Sequence, residues 1–297
     1  MTTPFSGILC PSITIADGNG EPDETLWGRH LDHLVEAGVN GILLFGSIGE
    51  FYAYPTSFKK HAVEFAVNRI AGRTKVLVGV GDTDLDNVLD VTEFSERCGA
   101  DGIVAVSPYY FGPSDAAAER YFGRVADSTR LPVLLYNFPA RTGSDLNPRL
   151  VAALAAAHRN IVGIKDTVDT ISHTRKVIAA ARAVNPDFAV LSGFDEYYCA
   201  NRIAGGDGVL CGLTNVEPET FVRMHRAWQD GRYDEAIACA RRVSRLMAVY
   251  DQADLFITAI KQAVRAKGLP IDAAIREPMV PLTQSQRDAI DRILAQD

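Results

Sequence analysis

The sequence contains few cysteines, and their placement does not fit a disulfide framework or a structural zinc site. The five cysteines are odd in number and scattered along the chain: Cys10, Cys98, Cys199, Cys211 and Cys239. No C-x-x-C pair occurs. This usage is typical of a protein from a reducing compartment, so we expect a cytoplasmic protein.

Long apolar runs and an excess of basic residues are also lacking. No run approaches the ~20 apolar residues that a membrane-spanning helix requires. Residues 1–4 lack the basic and apolar regions of a signal peptide. The net charge is −7, with acidic and basic residues interspersed. These features argue against nucleic acid and against a membrane as partners.

Signatures of metal and nucleotide sites are missing as well. The six histidines lie in or near predicted helices, and no H-E-x-x-H motif occurs, so we expect no catalytic metal site. Residues 46–49, with the sequence G-S-I-G, lack the third glycine of a dinucleotide-binding turn. They also lack the lysine and hydroxyl residue of a phosphate-binding loop.

Short apolar segments alternate with amphipathic helical stretches eight times. The predicted strands are residues 7–13, 41–45, 75–80, 102–106, 132–136, 161–165, 188–191 and 208–211. Continuous strands rich in Val, Ile and Leu are typical of parallel strands buried on both faces. Residues 1–230 are therefore predicted to form a (β/α)8 TIM barrel, although periodicity alone leaves an open doubly wound sheet possible. Helical patterns within residues 231–297 predict a C-terminal helical extension of the same domain.

Lys165 is the only one of the seven lysines that ends a predicted strand. The chemistry of such barrels lies at the C-terminal ends of the strands. Burial disfavours a charged ammonium group, and a neutral amine attacks carbonyl carbons. Five other lysines are predicted on solvated helix faces, and Lys75 begins a strand. The alternative for Lys165 is a partly exposed lysine paired with an acid such as Asp166.

Other polar residues follow the same strand ends. Tyr136 ends the strand next to Lys165, where its hydroxyl could move protons, or it could be an ordinary core tyrosine. The glycines that flank Ser47 could let backbone N–H groups hold a carboxylate, or they could form a plain turn. Arg141 alone is typical of a solvated loop, and Tyr110 of packing at a subunit contact.

Four motifs together resemble one enzyme family. They are G-S-I-G-E at residues 46–50, P-Y-Y at 108–110, L-Y-N-F-P at 135–139 and G-I-K-D at 163–166. In this order they resemble the dihydrodipicolinate synthase and N-acetylneuraminate lyase superfamily of class I, pyruvate-dependent aldolases. The resemblance covers nearly the whole chain.

This resemblance implies a role for several residues. It implies a Schiff-base lysine at Lys165, an acid/base tyrosine at Tyr136 and a second tyrosine, Tyr110, that reaches into a neighbouring subunit's site. The remaining implied contacts with the 2-oxo acid substrate come from the turn Gly46, Ser47 and Ile48, and from Leu210 in the pyruvate pocket. It also implies a homotetramer made of two tight dimers. Neither a metal nor an organic cofactor is expected.

Within the superfamily the motifs look most like those of 2-keto-3-deoxy sugar acid aldolases. Ile48 replaces a hydroxyl residue that is usual in the synthase branch, which argues against lysine biosynthesis. Arg141 sits where synthases hold the second substrate's carboxylate. We therefore expect a lyase that cleaves a 2-keto-3-deoxy sugar acid to pyruvate and an aldehyde. The alternatives are a dehydratase, a dihydrodipicolinate synthase-type condensation, a metal-dependent aldolase and a silent protein that binds 2-oxo acids.

Overall fold

Eight short parallel strands form a closed barrel in which each strand pairs with its neighbours in chain order. The computed structural model describes residues 5–273, 276 and 280–296. The strands are β1 (Gly7–Pro11), β2 (Gly41–Leu44), β3 (Lys75–Gly79), β4 (Gly102–Val106), β5 (Val133–Asn137), β6 (Ile161–Asp166), β7 (Ala189–Ser192) and β8 (Gly208–Leu210). Leu9 of β1 closes the ring, because it is in register with Gly41 and with Leu210.

Helices follow the strands and cover the outside of the barrel. They are α1 (Glu24–Ala37), α2 (Thr56–Ile70), α3 (Leu85–Cys98), α4 (Asp115–Asp127), α5 (Pro139–Thr142), α6 (Pro148–Ala157), α7 (Ile171–Arg182), α8 (Tyr198–Ile203) and α9 (Pro218–Gln229). The predicted (β/α)8 TIM barrel is confirmed. The four-residue helix α5, within the connection from β5 to α6, is an addition that the sequence pattern did not predict.

Local signals in the sequence set the helix ends. The Asp23 side chain accepts hydrogen bonds from the backbone N–H groups of Thr25 and Leu26 at the start of α1. Gly38 ends that helix in the left-handed conformation, which glycine adopts without steric cost. These caps direct the chain back into β2, so that strand and helix alternate around the ring.

Three further helices follow the barrel: α10 (Tyr233–Leu246), α11 (Phe256–Ala266) and α12 (Gln284–Leu294). Their apolar faces belong to the same buried cluster as the barrel, with Val243, Ile260 and Ile290 fully buried. The division of the chain at residue 230 stays a prediction. Residues 1–4, from which we predicted the absence of a signal peptide, lie outside the described residues.

Among the described residues, no helix combines the length and the apolar character that crossing a bilayer requires.

Candidate active site

Lys165 and Tyr136 are adjacent on neighbouring strands at one end of the barrel. They are in register on β6 and β5, and their exposed fractions are 4% and 3%. Lys165 Nζ lies 4.3 Å from the centroid of the Tyr136 ring, over its face. The barrel thus places an amine and a phenol hydroxyl in one buried corner.

Asp166 does not provide the ion pair that was the alternative for Lys165. Its carboxylate accepts hydrogen bonds from Asn137 Nδ2 at 3.1 Å and Thr174 Oγ1 at 2.7 Å, and it lies 3.0 Å from His173 Nδ1. Side chains alternate across a strand, so Asp166 faces away from the side that Lys165 faces. Among the described residues, Lys165 forms no ion pair with a carboxylate.

The turn after β2 faces Tyr136. Ser47 Oγ lies 3.1 Å from the Tyr136 hydroxyl, within hydrogen-bond distance. The backbone N–H of Glu50 donates to the Ser47 carbonyl at 3.1 Å, which holds the turn. In the described part of the chain, the backbone N–H groups of Ser47 and Ile48 have no acceptor. Two free N–H groups beside the tyrosine can bind a carboxylate.

These groups line one cavity of about 510 Å³. Five of the residues implied by the sequence contribute to its wall: Ser47, Ile48, Tyr136, Arg141 and Lys165. Its volume lies in the range of pockets that bind small molecules. The structure thus brings together in one cavity residues that strand ends and the family resemblance had singled out.

Three implied residues lie elsewhere. Leu210 is completely buried beside Leu9 and does not line the cavity, whose wall begins at the next residue, Cys211, so its place in a pyruvate pocket stays a prediction. Gly46 is buried before the turn, where a Cβ atom would approach Leu43 Cδ2 to 3.0 Å. Tyr110 is 87% exposed and does not line the cavity of its own chain.

Arg141 separates the cavity from a second space of about 240 Å³. Its guanidinium lies over the rings of Phe138 and Phe256, at 6.0 and 5.7 Å from their centroids. Both spaces share these three residues and Ser47. Arg141 is solvent-exposed, as expected for a loop arginine, and its guanidinium also contacts two aromatic rings at the edge of the cavity.

The far wall carries a buried acid. Asp195 accepts hydrogen bonds from the Leu213 backbone N–H at 2.7 Å and from the Tyr250 hydroxyl at 2.8 Å. Burial raises the pKa of Asp195, although these hydrogen bonds oppose the rise. Burial and the neighbouring Asp195 likewise raise the pKa of Tyr250 well above its ordinary value. Both residues line the cavity.

Sequence reasoning missed part of this wall. Thr167 lines the cavity, and its Oγ1 is buried without a hydrogen-bond partner among the described residues. Gly193 must be glycine, because a Cβ atom would lie 1.9 Å from Thr167 Oγ1. Tyr250 and Phe256 come from the segment after the barrel. Thr167 could have been noticed two residues after Lys165, whereas no strand end marks Tyr250 or Phe256.

Two other lysines are buried as deeply as Lys165, so the prediction that they lie on solvated helix faces is wrong. Lys59 of α2 is 2% exposed and Lys261 of α11 is 3% exposed. Lys59 Nζ lies 3.4 Å from the Gly81 carbonyl and 3.8 Å from Asp82, and burial lowers its pKa. Lys261 forms an ion pair with Glu50. Helical spacing indicates a face but does not indicate that packing will cover it.

In the ranges that the structure describes, no group of three or more His, Cys, Asp or Glu side chains is arranged to hold a metal ion.

Comparison with known proteins gives a family match over almost the whole chain. The model of the dihydrodipicolinate synthetase family matches residues 4–297. YagE of Escherichia coli K12, provisionally named a 2-dehydro-3-deoxy-D-gluconate aldolase, is 36% identical over 292 residues, with 98% of this chain and 97% of YagE covered. YjhH of the same organism, provisionally named a 2-dehydro-3-deoxy-D-pentonate aldolase, is 34% identical over 290 residues, covering 98% and 96%.

Solved structures agree with the sequence comparison. The crystal structure of YagE in complex with pyruvate, described as a member of the dihydrodipicolinic acid synthase family, has a TM-score of 0.95 and covers 98% of this chain and 97% of its own. A further relative by sequence, the 4-hydroxy-tetrahydrodipicolinate synthase of Methanosphaerula palustris, is 34% identical over 299 residues, covering 98% of this chain and 99% of its own. The chain belongs to the dihydrodipicolinate synthetase family and is an enzyme, a lyase of that family.

Proposed function

We propose that the protein is a Schiff-base lyase that cleaves a 2-keto-3-deoxy sugar acid to pyruvate and an aldehyde. One observation carries the proposal: the buried Lys165 amine lies over the Tyr136 ring, and the Tyr136 hydroxyl lies 3.1 Å from Ser47 in the same cavity. The relatives named as 2-dehydro-3-deoxy sugar acid aldolases support this substrate class. The same reaction run in reverse is an aldol addition.

The substrate carboxylate fits the turn after β2. The free backbone N–H groups of Ser47 and Ile48 are the donors for it. With the carboxylate there, the adjacent C2 carbonyl lies toward Lys165, and the hydroxylated end extends toward Arg141 and Asp195. The apolar side chain of Ile48 adds contact but no proton donor.

Lys165 carries the covalent step. Its unprotonated amine attacks the C2 carbonyl, and the Tyr136 hydroxyl protonates the departing oxygen, so that loss of water gives a protonated imine and the Tyr136 phenolate. This phenolate accepts the proton of the C4 hydroxyl as the C3–C4 bond breaks, which releases the aldehyde and leaves an enamine. Tyr136 returns that proton to C3, and hydrolysis of the imine releases pyruvate, restores the amine and gives the proton back to Tyr136. The imine takes the electron pair of the broken bond, so the proposed reaction uses neither a metal nor an organic cofactor.

Trapping the imine tests this proposal. The protein is incubated with pyruvate and borohydride, digested, and mapped by mass spectrometry. We expect a reduced pyruvate adduct on Lys165, and none on the equally buried Lys59, which has no surface in the cavity. The Lys59→Met variant is the matched control and should still form the adduct. An unmodified Lys165 would contradict the Schiff-base mechanism, and loss of turnover on addition of EDTA would favour a metal-dependent aldolase.

Product analysis distinguishes the reactions that share this imine. Incubation with a 2-keto-3-deoxy sugar acid should yield equal amounts of pyruvate and aldehyde. A dehydratase would instead release water and keep the carbon chain intact. Arg141 in the cavity wall favours one further candidate, a synthase-type condensation with a carboxylate-bearing aldehyde. An adduct without turnover of any of these substrates would identify a silent 2-oxo acid-binding protein.

We further propose a homotetramer made of two tight dimers. The Tyr110 and Phe111 side chains are 87% and 82% exposed, and their ring centroids lie 4.8 Å apart. Tyr110 has a φ of 76°, which is unusual for a residue with a side chain. A second copy that accepts Tyr110 in its own site would cover this pair. Sedimentation should give a mass of four chains, and Tyr110→Ala should weaken both assembly and turnover.

Residues 1–230 and 231–297 are proposed to form one domain. The continuous buried cluster and the contribution of Tyr250 and Phe256 to the cavity support this division within a single unit. A chain that ends at residue 230 should therefore fail to unfold cooperatively.

A further inference from the structure

A second polar cluster lies behind the reactive residues, on the outer side of the barrel wall. Asn137 and Asp166 follow Tyr136 and Lys165 directly, and they are in register with each other. Because side chains alternate along a strand, this pair lies on the face opposite the reactive pair. Both are almost completely buried, and Asn137 Nδ2 donates to Asp166 Oδ1 at 3.1 Å.

His173 connects this pair to two other segments. It lies in the first turn of α7, with Nδ1 3.0 Å from Asp166 Oδ2 and Nε2 3.3 Å from Asp145 Oδ1. Asp145 belongs to the connection between α5 and α6, and it also accepts a hydrogen bond from Asn137 Nδ2 at 2.9 Å. One imidazole ring therefore joins β6, α7 and the loop that follows β5.

The charge of the ring follows from its two neighbours. The neighbouring carboxylates of Asp145 and Asp166 raise the pKa of His173 to about 10, although burial opposes the rise. The contact with His173 in turn lowers the pKa of Asp145. Near neutral pH the charged ring donates through Nδ1 to Asp166 and forms an ion pair with Asp145, whose Oδ1 lies 3.3 Å from Nε2. Without that charge, two neighbouring carboxylates would remain, one of them deeply buried.

The same cluster holds the loop that carries Phe138 and Arg141. Asn137 Oδ1 accepts a hydrogen bond from the Leu146 backbone N–H at 3.0 Å, which fixes the far end of that loop. The cluster thus determines where β5 and β6 end relative to each other and where the loop enters the cavity wall. A shift of about 1 Å in such a place can cost about a hundredfold in rate.

We propose that His173 is a positioning residue of the lyase: its imidazolium, held between Asp145 and Asp166, fixes the Lys165 amine relative to the Tyr136 hydroxyl. The proposal rests on the proposed Schiff-base function. His173 has no surface in the cavity, so it acts through the two strand ends and touches no substrate. Its expected effect is on the rate of imine chemistry more than on substrate binding.

The test compares two histidines that each lie between two carboxylates. His173→Gln keeps a hydrogen-bonding side chain but removes the charge. His61→Gln is the matched control, because His61 lies 3.4 Å from Glu21 and 3.0 Å from Glu24 on the exposed side of α2. For each variant, the rate of pyruvate adduct formation under borohydride, kcat and KM are measured with a 2-keto-3-deoxy acid, after the folded fraction is verified by circular dichroism.

We expect His173→Gln to lower kcat and the trapping rate by about tenfold to a hundredfold, with a much smaller change in KM. His61→Gln should match the wild type in all three quantities. Adding Asp145→Asn to His173→Gln removes one uncompensated carboxylate and should recover part of the lost kcat. A purely structural role would lower the folded fraction without changing the kcat of the molecules that remain folded.

Two outcomes overturn the proposal. If folded His173→Gln forms the adduct and turns over substrate at wild-type rates, the positioning role of His173 is overturned, whereas the proposed function stands. No adduct in the wild-type protein would overturn the proposed function and this proposal together. If His173→Gln does not fold, Asp145→Asn alone provides the decision: it loosens the loop but keeps the contact between His173 and Asp166, and an unchanged kcat and KM there would contradict the proposal.

Discussion

Lys165 and Lys261 are 4% and 3% exposed, and the turn of residues 46–50 contributes to the surroundings of both. On one side of the turn, Ser47 faces the cavity that contains Lys165. On the other side, Glu50 pairs with Lys261, which projects from α11. The same short turn therefore borders two buried lysines. Among the residues that the structure describes, Lys165 has no carboxylate partner, whereas Lys261 is paired with a carboxylate of the turn itself.

Burial does not by itself make a lysine reactive, because Lys165 and Lys261 are equally buried but differ in their partners. An adjacent carboxylate occupies a lysine in an ion pair, whereas an amine without a carboxylate partner in an open cavity is available to a ligand. The C-terminal helices contain a second set of paired charges: Glu217 accepts hydrogen bonds from Arg242 at 2.6 Å and from Lys267 at 2.9 Å. The barrel end carries the chemistry, and the contact with the C-terminal helices pairs its charges.

Lys165→Met removes the amine in the cavity and should have the largest effect on activity. Without the amine no imine forms, so we expect kcat to fall by about a thousandfold or more. The melting temperature should change little, because no partner charge is left unpaired. Steady-state turnover and thermal unfolding check both parts. More than about a hundredth of wild-type activity in purified Lys165→Met would contradict the assignment.

Tyr136→Phe should have the next largest effect. It keeps the ring beneath Lys165 but removes the hydroxyl that lies 3.1 Å from Ser47, so proton transfer should slow by about 10²- to 10⁴-fold. Tyr198→Phe is the control, since the Tyr198 hydroxyl is bonded to His225 Nδ1 at 2.7 Å and neither residue lines the cavity. Equal kcat values for the two variants would remove Tyr136 from the proposed mechanism.

Lys261→Met removes the amine of the ion pair with Glu50. It leaves Glu50 as a buried charge without its partner, which should lower the free energy of unfolding by about 3–5 kcal/mol. Urea denaturation measures this change, and kcat per folded molecule should fall far less than in Lys165→Met. The double variant Glu50→Gln with Lys261→Met removes both charges and should recover part of the stability. A fully stable Lys261→Met would show that the pair contributes little.

Acid titration of the contact between Glu217 and the C-terminal helices should show the smallest effect, a change in the pH dependence of stability. Burial opposes ionisation of Glu217, but the hydrogen bonds from Arg242 and Lys267 outweigh it and lower its pKa from 4.5 to about 2. Its contribution to stability is therefore complete above pH 4.5 and is lost as the pH falls toward 2. Unfolding measured across that range should depend less on pH in Glu217→Gln. Asp230→Asn, at an exposed ion pair with Arg232, should leave the pH dependence unchanged.

The barrel could be predicted because both faces of each strand are buried, which leaves continuous apolar runs in the sequence. The neighbouring positions of Tyr136 and Lys165 could be predicted as well, because parallel strands bring both residues to the same end of the barrel. The positions of Tyr250 and Phe256 could not be predicted, since they depend on how α10 and α11 pack against the barrel. For the same reason, helical spacing did not reveal that Lys59 and Lys261 are covered, or that His173 joins three segments.

The cavity wall is assembled from parts of the chain that are made at different times. Synthesis proceeds from the N-terminus, so Lys165 and Tyr136 leave the ribosome before Tyr250 and Phe256, which line the same cavity. Because the barrel and the last helices share one buried core, the pocket is complete only after the C-terminal helices have been made and have packed against the barrel.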